Sequence, residues 1–199
     1  MAIAAPGFPL LREFYERGSV EVAQALLGKT IARCMGSEYV SGVIAETEAY
    51  RGADDPASHA YRGRTPRNSV MFERGGLAYV YFIYGKNWCL NVTTEPRGQP
   101  GAVLIRALEP ISGRDTMAKR RGVEDPARLA SGPGMLTQAL GITGAQNGVD
   151  MTRRGELYIC DSPSFPEFFT VASQRIGVKA GSHLPWRFRI KDSPFVSRG

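Results

Sequence analysis

The sequence predicts a mixed α/β fold of the α+β class: a single compact domain over residues 1–199, with a largely antiparallel, curved β-sheet, a protruding β-hairpin and surrounding helices. Strand-like segments outnumber helical ones, and two of them are joined by the short connection Gly85-Lys86-Asn87, which is typical of a hairpin. Strands and helices do not alternate regularly, so we do not expect a parallel, doubly wound sheet. A chain of 199 residues with 43% hydrophobic residues can bury one conventional core.

The first part of the chain is predicted to contain one helix, two strands and a long loop. Residues Ser19–Leu27 have helical spacing of apolar side chains, a serine that can cap the start, and Gly28 to end the helix. Strands follow at Thr30–Cys34 and Tyr39–Tyr50. Residues 51–76 are rich in Gly, Pro, Asp, Arg and Asn and therefore form a loop. A loop of this length inside a compact domain is usually functional.

The rest of the chain is predicted to complete the sheet and add two helices. The remaining strand-like segments are Leu77–Tyr84, Trp88–Thr94, Ala102–Glu109, Leu157–Cys160, Thr170–Ile176 and Arg187–Ile190. Residues 112–121 are expected to form a basic helix. A second helix, Met135–Leu140, follows Ser131-Gly-Pro-Gly and is ended by Gly141.

Composition and charge narrow the possible functions. No stretch approaches the roughly 20 apolar residues of a membrane span, and the first residues lack the pattern of a secretory signal, so we expect a cytoplasmic protein without a membrane partner. Cys34, Cys89 and Cys160 are isolated, which argues against a disulfide framework or a structural zinc site. The net charge of +6 comes mainly from residues 51–100 and 151–199. Such a surface suits nucleic acid, although small basic domains also occur without this partner.

Alternation along the predicted strands places polar side chains on common faces. The side chains that share a face are, strand by strand, Glu46, Glu48 and Tyr50; Tyr79, Tyr81 and Ile83; Cys89, Asn91 and Thr93; and Leu104 and Arg106. Val43, Ala45 and Ala49 are expected on the opposite face of the first of these strands. If the strands are neighbours, the common faces form a cleft lined by carboxylate, phenol, amide and guanidinium groups.

Each of these residues also has an ordinary structural interpretation. The two glutamates can be a solvated strand face, the tyrosines can pack on the sheet, and His59 can be a hydrogen-bonding residue of the loop. Arg106 is harder to explain in this way because it lies in an apolar strand and needs a carboxylate or an anionic ligand. Glu109 is its ordinary candidate partner.

The chain resembles a known family over nearly its whole length. The residues that match are Ala25-Leu-Leu-Gly-Lys, Glu46-Thr-Glu-Ala-Tyr, Asp54-Asp55, Ser58-His59, Arg64-Thr-Pro-Arg-Asn, Met71-Phe72, Tyr79-Val-Tyr-Phe-Ile-Tyr-Gly, Asn91-Val92, Val103-Leu-Ile-Arg-Ala-Leu-Glu-Pro, Ser131-Gly-Pro and Ser193-Pro-Phe-Val-Ser. In this order they resemble the alkyladenine DNA glycosylases, the 3-methyladenine glycosylase family of mammals and many bacteria. Any one segment alone would be a weak signal, whereas the ordered set is a strong one.

The resemblance implies a monofunctional DNA glycosylase that flips alkylated or deaminated purines out of the duplex and hydrolyses the N-glycosidic bond, which starts base excision repair. It implies a monomer that acts on double-stranded DNA containing damaged purines, with no metal or other cofactor. The expected location is that of a bacterial-type cytoplasmic protein, nucleoid-associated when bound to DNA. The sequence leaves the preferred lesion open among 3-methyladenine, 7-methylguanine, hypoxanthine and ethenoadenine.

The resemblance also implies a division of roles among the site residues. Glu48 matches the general base, while Arg106 and the backbone near His59 match groups that place the attacking water. The residues that match the walls of the base pocket are Tyr50, His59, Tyr81 and Asn91, the last of which crowds the exocyclic amino group of normal guanine. Tyr84 matches the side chain that wedges into the minor groove, and Leu104 matches the DNA-contacting surface.

Two alternatives from other classes stay open. A non-catalytic binder of distorted or damaged duplex DNA would keep Tyr84 and the basic surface but would not need Glu48. A carbohydrate hydrolase would use Glu46 and Glu48 as a carboxylate pair and would have no affinity for DNA. The residues Lys86-Asn87-Trp88 depart from those that often follow this tyrosine in the family, which leaves the DNA contacts of the hairpin open.

Overall fold

A computed structural model describes residues 7–83, 85–162 and 164–197. The strands are β1 (Thr30–Met35), β2 (Glu38–Tyr50), β3 (Ala78–Ile83), β4 (Asn87–Thr94), β5 (Gly101–Ser112), β6 (Leu157–Cys160), β7 (Thr170–Ser173) and β8 (Arg187–Ile190). The helices are α1 (Arg12–Tyr15), α2 (Ser19–Ala25), α3 (Arg114–Arg121), α4 (Pro126–Leu129) and α5 (Pro133–Leu140), with short 3₁₀ turns at Ser69–Phe72 and Gly144–Gln146.

The predicted α+β class is confirmed, and each predicted strand is present. The sequence did not predict α1 and α4, which are only four residues long and show little periodicity. Strand β7 ends at Ser173, three residues before the predicted end, so Arg175 and Ile176 belong to the following loop. No helix within the described ranges is long and apolar enough to cross a membrane.

The strands of the described residues form one sheet in which every pairing is antiparallel. Its main order is β3-β4-β5-β2-β1-β6. One edge of the long strand β2 pairs with β5, while the other edge pairs first with β1 and then, over Glu46–Glu48, with β8. Strand β2 is therefore central, which explains why its polar side chains are buried.

A first irregularity between β2 and β5 lies at Ala45. The register shifts between Ile44 and Glu46, so Ala45 has no partner residue on β5. An extra residue of this kind turns the following side chains to the other face of the sheet. Ile44 and Ala49 consequently join the main core, whereas Val43 and Ala45 are buried outside it. The predicted placement of Val43 and Ala45 beside Ala49 was wrong because simple alternation does not account for the bulge.

A second irregularity lies on the opposite strand, at Arg106. Glu46 is opposite Ala107 and Thr47 is opposite Ile105, so Arg106 is passed over in the pairing. Bulges commonly redirect a side chain in this way. The Arg106 guanidinium reaches across to the side chains of β2 as a result.

The two faces of the sheet have different coverings. One face packs against α2, α3 and α5 in the main hydrophobic core. The other carries a smaller cluster in which Ala60 and Met71 of the long loop contact Tyr79 and Ala102 of the sheet. The loop is held in shape by the buried Asn68 side chain, whose amide donates to the carbonyl oxygen of His59 at 2.8 Å.

Candidate active site

A cavity of about 430 Å³ opens on the face of the sheet that carries the long loop, a volume within the range of small-molecule sites. Its walls come from β2, β3, β4, β5, the loop, α5 and the segment after β7. The predicted site residues that line it are Tyr50, His59, Tyr81, Asn91, Leu104 and Arg106. They converge because β3, β4, β5 and β2 are consecutive neighbours, as the predicted cleft requires.

Glu48 lies directly behind the wall of this cavity and is 0% exposed. Its Oε2 accepts hydrogen bonds from the Tyr50 hydroxyl at 2.8 Å and lies 3.2 Å from Nη1 of Arg106. Its Oε1 accepts a bond from the backbone N–H of Ile176 at 2.7 Å. All three donor residues line the cavity. A carboxylate offers about four lone-pair sites, so Oε1 keeps one that no other described group fills.

Arg106 joins Glu48 to a second buried carboxylate, Glu46. The Nε atom of Arg106 donates to Oε1 of Glu46 at 3.1 Å, and its Nη2 donates to the Ser197 hydroxyl at 3.2 Å. Glu46 also accepts bonds from Arg187 Nε at 2.5 Å and from the backbone N–H of Ser197 at 2.6 Å. The two glutamates thus face two arginines, and this balance offsets part of the cost of burying their charges.

The aromatic walls of the cavity carry no charge at neutral pH. Burial, assisted by the nearby Arg67, lowers the pKa of His59, so its imidazole is neutral. Burial raises the pKa of Tyr79 to about 12, and its hydroxyl lies 2.8 Å from Nδ1 of His59. The pKa of Tyr50 is raised by burial and by Glu48, which keeps its phenol protonated. The ring of Tyr81 meets that of His59 at 4.6 Å between centroids.

Asn91, Leu104 and Tyr84 are the remaining residues predicted for the site. Asn91 is buried, and its amide donates to the carbonyl oxygen of Tyr79 at 3.0 Å, which orients the side chain. Leu104 is 4% exposed and is opposite both Asn91 and Glu48 in the sheet. It lines the cavity, so a contact of Leu104 with DNA would be made with a base inside it. Tyr84 lies outside the described residues.

The hairpin β3–β4 is braced by helix α5. The Thr137 hydroxyl donates to the carbonyl oxygen of Trp88 at 2.9 Å, and the Gln138 amide donates to Oδ1 of Asn87 at 3.3 Å. A Cβ atom at Gly134 would lie 2.7 Å from the Asn87 side chain, so this close approach depends on glycine. The unusual Lys86-Asn87-Trp88 segment therefore supplies contacts to α5, and Asn87 also lines the cavity.

Several contributors to the site were not assigned a role from the sequence. The backbone N–H of Ile176 donates to Glu48. Arg106 pairs with the two glutamates of β2 and not with Glu109. Asp55 and Arg175 form a buried ion pair beside Tyr50. Asp54-Asp55 and the Ser193-Pro-Phe-Val-Ser segment were part of the family resemblance, which was the only signal available for them.

Comparison with known proteins decides the family. Residues 13–194 match the model of a family described as methylpurine-DNA glycosylase (MPG). The chain belongs to the methylpurine-DNA glycosylase family. It is 50% identical over 193 residues to a protein of Methanocella arvoryzae, covering 95% of this chain and 96% of the relative. It is 49% identical over 191 residues to a protein of Rhodopseudomonas palustris, covering 96% and 89%. The names of both relatives assign them to the 3-methyladenine DNA glycosylases.

Membership of the methylpurine-DNA glycosylase family makes the chain a DNA glycosylase, a hydrolase of N-glycosyl bonds that acts on DNA. The predicted family and enzyme class are confirmed. In the part of the chain that the structure describes, no group of three or more His, Cys, Asp and Glu side chains could hold a metal ion.

Proposed function

We propose that this methylpurine-DNA glycosylase receives an alkylated or deaminated purine, flipped out of duplex DNA, in the 430 Å³ cavity and hydrolyses its N-glycosidic bond with a water activated by Glu48. The observation that carries the proposal is the position of Glu48, fully buried behind three cavity-lining donors. Flipping a base out of the duplex costs a few kcal/mol. The cost is lowest for a damaged base, because its pairing in the duplex is already weak.

The unfilled lone pair of Glu48 Oε1 is the proposed acceptor of the water proton. The water oxygen bonds to the anomeric carbon of the sugar while the bond to the purine nitrogen breaks, its electron pair leaves with the purine, and the proton passes to Glu48. A purine alkylated at N3 or N7 is cationic and leaves as a neutral base, so no second acid is required for it, whereas a neutral deaminated purine takes up a proton from solvent water as it leaves. Arg106 and the backbone of Ile176 hold the carboxylate in place during this step.

The uncharged aromatic walls suit an electron-poor base. Tyr50, His59 and Tyr81 offer π faces to a flipped purine, and a cationic ring is attracted to such faces. A neutral His59 adds no charge repulsion against a cationic lesion. Asn91, held by its bond to the Tyr79 carbonyl, would crowd the exocyclic amino group of normal guanine.

The remaining proposals concern the DNA and the cell. Tyr84, which matches the wedging side chain of the family, would fill the space that the flipped base vacates. Leu104 would contact that base from the cavity floor. We propose that the enzyme acts as a monomer on duplex DNA containing damaged purines. A chromosomal substrate would place it in the cytoplasm, at the nucleoid.

The geometry disfavours a carbohydrate hydrolase that uses Glu46 and Glu48 as its carboxylate pair. Such an enzyme needs both carboxyl groups beside the scissile bond. Both Glu46 oxygens instead accept bonds from Arg106, Arg187 and Ser197, whereas Glu48 keeps an acceptor site that no other described group fills.

Replacement of Glu48, the proposed general base, tests the catalytic function and distinguishes it from non-catalytic binding of DNA. Duplexes carrying 3-methyladenine, 7-methylguanine, hypoxanthine or ethenoadenine are incubated with excess enzyme, and abasic sites are cleaved with alkali. We expect wild-type protein to release at least one of these bases. Glu48→Gln should lower the single-turnover rate by about 10²–10⁴-fold with little loss of DNA affinity.

Glu109→Gln is the matched control. Glu109 lies on neighbouring strand β5 but does not pair with Arg106, so this variant should retain the wild-type rate. Tight binding by the wild type without release of any base would favour the non-catalytic alternative. Undiminished release by Glu48→Gln would contradict the role of Glu48.

A further inference from the structure

A second buried ion pair lies next to the cavity and takes no part in the proposed reaction. The two guanidinium nitrogens Nη1 and Nη2 of Arg175 donate to the two carboxylate oxygens of Asp55 at 2.6 and 2.8 Å, and both side chains are 0% exposed. Asp55 also accepts bonds from the backbone N–H groups of Arg51 and Ala57. The pair is therefore rigidly held inside the protein, where charges act over longer distances than at the surface.

Arg175 lies against the ring of Tyr50, one of the proposed pocket walls. Its guanidinium carbon is 4.8 Å from the centroid of the Tyr50 ring and 5.2 Å from that of Trp186. Tyr50 lines the cavity, whereas Arg175 does not. Since Arg175 covers one face of the Tyr50 ring, a base in the cavity can meet only its opposite face or its edge. The ring thus separates a fixed cation from the space that the purine would occupy.

The pair also ties together three segments that meet at the cavity. Nη1 of Arg175 donates to the carbonyl oxygen of Ala49 at 2.9 Å, which anchors the loop after β7 to the end of β2. The next residue, Ile176, donates its backbone N–H to Glu48. Asp55 belongs to the long loop that carries His59. The orientation of the Arg175 charge relative to the cavity is therefore fixed by several contacts.

We propose that the Asp55–Arg175 pair is a specificity-determining element that weakens the preference of the cavity for cationic purines over neutral ones. The inference rests on the proposed function and deepens it. Arg175 is the member of the pair whose guanidinium lies over the Tyr50 ring, and it draws on the same π electrons that would attract a cationic base. A neutral deaminated or etheno purine stacks without this opposition.

The size of the effect follows from distance. A base stacked about 3.5 Å beyond the Tyr50 ring lies about 8 Å from the guanidinium. At an effective dielectric constant of about 20, one uncompensated charge at that distance changes the ratio of the release rates of a cationic and a neutral base by more than about tenfold. The opposing charge of Asp55 reduces this change to about threefold.

The test compares the release of cationic 7-methylguanine with that of neutral hypoxanthine, as a ratio of single-turnover rates in otherwise identical duplexes. Asp55→Asn with Arg175→Met removes both charges and should raise the ratio about threefold. Asp55→Asn alone leaves Arg175 uncompensated and should lower the ratio about tenfold. Arg175→Lys keeps the charge and should leave the ratio within about twofold of the wild type. Because each ratio is measured on one preparation, partial unfolding of a variant cancels.

Arg51→Met is the matched control, since Arg51 lies 5.7 Å over Trp186 on the exposed side and should not change the ratio. Where one release is too slow to time, the ratio is taken from the equilibrium affinities for the two duplexes. Equal ratios in all variants, or shifts of the same sign in Asp55→Asn and the double variant, would overturn the proposal. A shift in Arg175→Lys as large as in the double variant would also overturn it. Failure of the proposed function is a separate result, in which the wild type releases neither base.

Discussion

Replacement of Glu46 by Gln probes the buried charge cluster on which Arg106 depends. Glu46 is 0% exposed and accepts bonds from Arg106, Arg187 and both the backbone and the hydroxyl group of Ser197. The variant keeps the size of the side chain but removes its charge and turns one acceptor into a donor. The buried Arg106 would then keep Glu48 as its carboxylate partner, while the half-buried Arg187 would lose the carboxylate with which it pairs.

The expected loss of stability is large. Breaking a buried ion pair by removing one partner costs about 3–5 kcal/mol, because the other charge stays buried without compensation. In a chain of about 200 residues, 1 kcal/mol corresponds to about 2–4 °C in Tm. We therefore expect Glu46→Gln to lower Tm by about 6–20 °C. Glycosylase activity, measured well below the new Tm, should also fall, since Arg106 loses one of the groups that hold it beside Glu48.

Glu73→Gln provides a matched control in thermal unfolding followed by circular dichroism. Glu73 also pairs with two arginines, Arg64 at 2.9 Å and Arg97 at 3.2 Å, but all three side chains are at least one third exposed. Exposed ion pairs contribute about 0–1 kcal/mol each, so this variant should lose only a few degrees. The reasoning would be refuted if Glu46→Gln changed Tm by no more than Glu73→Gln.

Two further predictions concern the cavity walls. Burial lowers the pKa of His59 in the folded state, so the contribution of this residue to stability is complete above about pH 6.5 and is lost as the pH falls. The urea midpoint of the wild type should therefore decrease between pH 7.5 and pH 5, and His59→Gln should make this decrease smaller. An unchanged decrease in the variant would contradict the burial argument. Asn91→Ala should enlarge the cavity beside Leu104 and permit slow release of guanine from undamaged duplex, detected as alkali-labile sites; a rate no higher than that of the wild type would count against the proposed exclusion of guanine.

The strands and the part of the site formed by residues of β2, β3 and β4 could be predicted because their sequence signals are local. Alternation within a strand placed Glu48 and Tyr50 on one face, and the structure joins them by a hydrogen bond of 2.8 Å. The short connection after β3 predicted its pairing with β4, which brings Tyr81 and Asn91 to neighbouring strands. Such features depend only on residues a few positions apart.

The rest of the site could not be predicted because it depends on bulges and on contacts that are distant in sequence. Nothing in composition marks Ala45 or Arg106 as a bulge residue, since a bulge is defined only by the partner strand. The bond from Ile176 to Glu48 spans 128 residues, and the Asp55–Arg175 pair spans 120. Alternation placed Glu46 beside Glu48 but could not show that Glu46 pairs with Arg106 and Ser197.

The charge arrangement around the cavity bears on how the proposed base, Glu48, would act on water and not on the lesion. Glu48 is paired with Arg106, and Asp55 with Arg175, so neither carboxylate presents an uncompensated charge to a cationic purine. Attraction for such a base must then come mainly from the uncharged rings of the wall, which act at short range and depend on stacking geometry. In the proposed reaction, the Oε1 lone pair of Glu48 that no other described group fills accepts the proton from water. In the proposed mechanism, the paired charges behind the walls would therefore separate recognition of the purine from activation of water.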